Sequence, residues 1–64
     1  MPENQYTLKE LRARKDKTQA EVAADLGISA QTYCAWERDI SGVAIGKVND
    51  VAKYFGVRLD EIFF

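Results

Sequence analysis

The polar side chains that stand out in this chain are donors and charges rather than reacting groups. In "TQAEVAADLGISAQTYCAWERD", residues Thr18 to Asp39, the side chains of Gln19, Gln31 and Arg38 lie among apolar residues at helical spacing. Amides and guanidiniums recognise a partner by hydrogen bonding and charge, and they break no covalent bond. The parts of a catalytic site are missing. There is no histidine, one cysteine, no Ser or Cys beside an evident base, and no glycine loop of the phosphate-cradling kind. One cysteine and no histidine also exclude a zinc set and an internal disulfide. Neither an enzyme nor any metal or other cofactor is therefore expected. The carboxylates Asp50, Asp60 and Glu61 fall where solvent or helix polarity accounts for them.

Charge bears on the partner. Nine Lys and Arg stand against ten Asp and Glu in 64 residues, a net charge of −1, which counts against general affinity for nucleic acid. The distribution is uneven. Lys9, Arg12, Arg14, Lys15 and Lys17 crowd one segment, opposed there by Glu10 and Asp16. Such separation gives either one positive face on an acidic body or an ordinary solvated helix surface. The length allows one domain with one small core, and 47% hydrophobic content places the chain with folded domains. A lone thiol points to a reducing, cytoplasmic compartment. No apolar run approaches membrane-spanning length, and "MPENQY" lacks the regions of a signal peptide.

Helices must position these side chains, because apolar residues recur at steps of three and four and no run alternates as a strand does. "TLKE" and "TQAE" are capping boxes, with Thr7 and Thr18 as caps and Glu10 and Glu21 as their reciprocal partners. Leu8, Leu11 and Arg12 share one face of the first helix. Val22, Ala23 and Leu26 form the inner stripe of the second, which Gly27 ends in a left-handed turn with Ile28 packing back. Ser29 caps a third helix that runs to about Arg38, and Asp39 is the expected left-handed exit. "ISGV" reads as a loop. Helical spacing resumes at Ile45, Val48, Val51, Ala52 and Phe55 until Gly56, and "LDEIFF" makes a last turn. The expected fold class is all-α, with about five short helices. In the third helix Ile28, Tyr33 and Trp36 face the core, which leaves Ala30, Gln31, Cys34, Ala35 and Arg38 outward along one stripe.

A small residue at a helix crossing, a glycine turn, a serine cap and a Trp-Glu close complete a pattern that resembles the helix-turn-helix of the Cro and cI-type repressors. The likeness extends from Thr7 through "VAKYFGVRLDEIFF", almost the whole chain. It implies a lambda-repressor-like domain over 7–64, with the motif at about 18–38 and a flexible arm at 1–6. It implies a transcriptional regulator, a repressor, that reads the major groove of double-stranded DNA with the helix at about 29–38. Base contacts would then come from Ala30, Gln31, Thr32 and Ala35. Among these Gln31 alone can make a bidentate contact, one that favours adenine, while the alanines offer apolar contact to thymine methyls. Phosphate contacts would come from Thr18, Gln19, Ser29 and Arg38. Arg12 and Glu37 match the family's structural ion pair between the first and third helices, a role that suits Arg12 on the Leu8–Leu11 face.

Departures from the family pattern keep a second reading open. Asp39 stands where glycine is common, "DISGVAIG" has no basic residue, and the long polar side chains usual at positions 30 and 35 are absent. The alternative is a protein-interaction module of the same fold, an antitoxin-like or anti-repressor partner of another chain. Ile62, Phe63 and Phe64 either complete the domain's own core or join two subunits as a homodimer, the arrangement that would read two half-sites about one helical turn apart.

Overall fold

The computed structural model describes residues 5–63; Met1–Asn4 and Phe64 lie outside the described residues. Four α-helices follow in order: α1 (Leu8–Lys15), α2 (Gln19–Leu26), α3 (Ala30–Arg38) and α4 (Ile45–Phe55). A 3-10 turn, Leu59–Glu61, closes the chain. The all-α class holds among the described residues, with one isolated parallel bridge, Tyr6 to Ile62.

The local signals act at each end. Thr7 and Thr18 accept from the amides of Glu10 and Glu21, whose carboxylates return to the cap amides at 3.0 and 2.8 Å. Ser29 accepts from the Thr32 amide at 3.1 Å. Each bond satisfies a donor that an α-helix leaves open in its first turn. At the end of α2, Gly27 adopts φ 74°, and the amides of Gly27 and Ile28 donate to the carbonyls of Ala24 and Ala23. Gly56, at φ 72°, and Val57 repeat this pairing after α4, with Lys53 and Ala52 as acceptors. In both places the residue after glycine is an apolar side chain folded back on the core.

The core draws on every element. Leu8 and Leu11 of α1, Val22 and Ala23 of α2, Tyr33 of α3, and Val48, Val51 and Ala52 of α4 are all at most 3% exposed. Ile40 from the connection after α3 and Ile62 from the tail join them. Ala23, the small residue expected at the helix crossing, is 1% exposed within this core.

The structure corrects two expectations, at Asp39 and at Ile45. Asp39 is extended rather than left-handed, at φ −159°, because its carboxylate accepts from the Ser41 amide and hydroxyl at 2.9 and 2.6 Å and turns the chain itself. The left-handed non-glycine residue is Asp16, at φ 54° after α1. Ile45 does not begin the inner stripe of α4: it sits at the first helical position, 63% exposed, and burial starts at Val48. Tyr6 contacts both the tail and α1. Its amide donates to Glu61 at 2.7 Å, its carbonyl accepts from Phe63 at 2.8 Å, and the Arg14 guanidinium lies 4.2 Å from its ring centroid. The rest of the expected arm falls largely outside the described residues.

The glycines give opposite expectations. A Cβ at Gly27 would meet nothing within 4 Å, so Gly27→Ala pays only for the left-handed backbone and should lower stability by about 1 kcal/mol. Gly46 lies in α4, also in open space and without a positive φ, so Gly46→Ala should raise stability by up to ~1 kcal/mol. Urea denaturation of the two variants checks both signs.

Candidate nucleic-acid interface

The outer side of α3 is set from behind. Tyr33 is fully buried and Trp36 half-buried against the core, so α3 has no freedom to rotate about its axis. Ala30, Gln31, Thr32, Ala35 and Arg38 are exposed on the other side, and Cys34 is half-buried between them. The Thr32 hydroxyl accepts from Ser29 at 2.8 Å, which ties it to the cap. An Arg38 guanidinium nitrogen lies 3.9 Å from the Cys34 sulfur. Three side chains of the stripe thus carry hydrogen-bonding or charged tips beyond the cap: Gln31, Cys34 and Arg38.

Behind the stripe lies a polar node. Arg12 Nε donates to Glu37 Oε2 at 2.6 Å, and a second guanidinium nitrogen reaches Oε1 at 3.5 Å. Arg12 also donates to the Lys17 carbonyl at 3.0 Å, and Gln19 Nε2 donates to Glu37 Oε1 at 2.8 Å. The Glu37 side chain is 7% exposed and that of Arg12 20%. Burial pushes the Glu37 pKa up, but the donors of Arg12 and Gln19 outweigh it and hold the carboxyl below its ordinary value. The Arg12 guanidinium is correspondingly raised by Glu37. The buried Tyr33 hydroxyl is close enough to Glu37 to sense its charge, yet makes no hydrogen bond of good geometry. Burial first, and the neighbouring carboxylate second, push the Tyr33 pKa well above its ordinary value.

The sequence-derived positions divide accordingly. Gln31, Ala30, Ala35 and Arg38 stand together on one exposed stripe, while Arg12, Gln19 and Glu37 meet behind it. Thr18 and Ser29 spend their side-chain oxygens on helix caps. Within the basic cluster two of the five charges are paired with carboxylates, while Lys9, Arg14 and Lys15 stay exposed. Arg12 is paired, Lys17 Nζ meets Asp25 at 2.6 Å, Arg14 covers Tyr6, and the Lys15 amine lies 4.7 Å from the Tyr54 ring centroid. The Tyr54 hydroxyl donates to the same Asp25 oxygen at 2.6 Å. Sequence reasoning missed three of these features. The Lys17 carbonyl and the Tyr54–Asp25–Lys17 cluster carry no signal in residue spacing. Ile40 gave one, a large apolar residue inside an otherwise small and polar loop.

No group of three or more His, Cys, Asp or Glu side chains among the described residues is placed to hold a metal ion. No helix of the described residues is long and apolar enough to cross a membrane.

Short capped helices, a glycine turn and an outward third helix define a small DNA-binding module, and comparison with known proteins supplies the family. The helix-turn-helix family matches residues 8–62. The chain belongs to that family, in its Cro/cI-like form, a DNA-binding domain of transcriptional regulators. It is 33% identical over 55 residues to the cryptic phage CTXphi transcriptional repressor RstR of Vibrio cholerae, covering 86% of this chain and 50% of that protein. It is 38% identical over 56 residues to the uncharacterized HTH-type transcriptional regulator MJ0272 of Methanocaldococcus jannaschii, covering 88% of this chain and 85% of the other. The chain therefore spans half the length of one of these relatives and most of the other. No solved structure matches.

The polar node sets a stability expectation. Removing Arg12 strands a nearly dry carboxylate. Arg12→Met should cost about 2–3 kcal/mol, less than a wholly buried pair because the guanidinium keeps some water. The pH dependence has a defined sign. The folded-state pKa of Glu37 lies below its ordinary 4.5, so its contribution is full above that value and fades as pH falls through the folded one. Denaturation midpoints at about pH 6 and about pH 3 should differ less in Glu37→Gln than in the parent protein.

Proposed function

We propose that the chain is a sequence-specific transcriptional repressor that reads the major groove with α3, in the cytoplasm. The observation that carries this reading is the exposed stripe on a helix whose inner face is locked by Tyr33, Trp36 and Glu37. Nine residues at about 1.5 Å rise make a rod of roughly 13 Å, and the groove admits one such helix. In this arrangement Gln31 contacts adenine, Ala30 and Ala35 meet thymine methyls, and Thr32 assists from the cap. Arg38 neutralises a phosphate at the end of the stripe. Gln19 and the first amides of α2 hold a second phosphate, with Thr18 and Ser29 shaping the two helix starts. The match to a phage repressor supports the sign of regulation.

One monomer has few phosphate contacts, so useful affinity calls for two half-sites and a homodimer. Phe63 supports this reading. It is 54% exposed beside a cleft of about 160 Å³ lined also by Leu8, Trp36 and Ile40, whereas Ile62 belongs to the protein's own core. Phe64 lies outside the described residues. Sedimentation at high concentration, with and without DNA, should give a dimer; a monomer under both conditions removes this part of the proposal.

A second reading has its own observation. Arg12 and Lys17 of the basic cluster are paired with Glu37 and Asp25, which leaves less free positive charge for DNA and favours a protein-interaction module, antitoxin-like or anti-repressor. Duplex binding measured against salt separates the two. Binding that weakens steeply as salt rises supports groove docking, and none even at low salt supports the protein partner. Selection from a random DNA pool should yield a symmetric site. Gln31→Ala should relax preference at one base pair, whereas Arg38→Ala should weaken all sequences alike and reduce the salt slope by about 1.

A further inference from the structure

Gln19 is the residue at which the DNA-facing side of the fold meets the polar node. Its side-chain nitrogen donates to Glu37 Oε1 at 2.8 Å, and Glu37 is the residue just before Arg38 at the end of α3. An ionised carboxylate only accepts hydrogen bonds. With the amide reversed, two oxygens would face each other at that distance without a proton between them, so Glu37 decides which end of the amide turns inward. The amide nitrogen carries two hydrogens, and Glu37 takes one. Gln19 is also the first residue of α2, so its backbone amide and that of Ala20 have no acceptor within the helix. The Thr18 hydroxyl is occupied with Glu21. The start of α2 therefore offers two backbone donors and one side-chain donor whose sense is fixed from α3.

Charge is arranged to match. A carboxylate one hydrogen bond away from a phosphate site would ordinarily repel the phosphate. Here Arg12 lies on Glu37 at 2.6 Å and compensates it, while its bond to the Lys17 carbonyl pins the chain just ahead of Thr18 and Gln19.

We infer that Glu37 is a positioning residue for DNA binding, holding the Gln19 amide so that its free N–H, and not its oxygen, meets a backbone phosphate. The inference rests on the Gln19–phosphate contact of the proposed function. It couples the clamp at the start of α2 to the last turn of α3, so that reading helix and clamp engage a duplex as one unit.

The test is a double-mutant cycle on duplex affinity, read by fluorescence anisotropy at low salt with a duplex taken from the random-pool selection. Gln19→Met removes the amide at nearly constant size. Glu37→Asp keeps the charge opposite Arg12 and withdraws the acceptor by one methylene, and Glu37→Gln removes the charge. Circular dichroism and a denaturation midpoint for each variant identify those that are folded, and the Glu37 variant that stays folded is used. In the parent, Gln19→Met should raise Kd about tenfold, the worth of one charge-assisted hydrogen bond. In the Glu37 variant the same change should cost less than about twofold. A merely structural Glu37 would leave the Gln19→Met factor equal in both backgrounds, and that result overturns the inference. So does a Gln19→Met variant that binds like the parent. A parent protein that binds no duplex at low salt overturns the proposed function, and this inference falls with it.

Discussion

A carboxylate with 7% of its side chain exposed must find its donors inside the protein, and Glu37 finds them on two other helices. Arg12 comes from α1 and Gln19 from the start of α2, and Arg12 in turn reaches the carbonyl of Lys17 between them. Each group has a directional partner, so the arrangement tolerates little sliding of one helix on another. Apolar contacts alone would allow such sliding, because they are non-directional. In a chain of 64 residues this matters more than in a larger one, since a core of ten well-buried side chains among the described residues leaves little redundancy. Losing one partner strands a charge; replacing both by apolar groups would preserve burial and lose the register.

The core and the node divide the work. Leu8, Leu11, Val22, Val48 and Val51 decide that the helices pack, with Ile62 closing the bottom of the cluster. Tyr33 belongs to both systems. Its ring fills the centre while its hydroxyl stays beside Glu37 without a well-formed bond, an unusual state for a buried polar atom. The same packing that hides Tyr33 and half-hides Trp36 leaves Gln31 and Arg38 in water. What the outside of α3 presents to solvent is thus decided by what its inside cannot release.

Much of this was legible in the residues, for identifiable reasons. Capping boxes at Thr7 and Thr18, the Ser29 cap, and the turns at Gly27 and Gly56 are encoded within a few positions, and each has the predicted geometry. The inner positions Val22, Ala23, Tyr33, Val48 and Val51 followed from periodicity. Errors arose where a local rule met a competing partner. Asp39 could satisfy itself through Ser41 without a left-handed turn. Ile45 had the right spacing but lay one turn before the packed part of α4. The basic run between Lys9 and Lys17 looks uniform in one dimension, whereas in three Glu37 and Asp25 pair with Arg12 and Lys17 and leave Lys9, Arg14 and Lys15 exposed. The surface stripe on α3 was readable from spacing, but the bond from Gln19 to Glu37 joins residues in different helices and leaves no mark on either local pattern.

The bridge between Tyr6 and Ile62 draws the two extremities of the described chain into a ring. Its two backbone bonds, at 2.7 and 2.8 Å, join residues separated by nearly the full sequence, so forming them demands the largest loss of loop entropy of any contact in the fold. The helical turns need no such search. Ring closure is therefore the natural final event of folding and the first to reverse. Amide exchange at Tyr6 and Phe63 would then run ahead of exchange in α2 and α3, the latch opening while the bundle behind it stays shut.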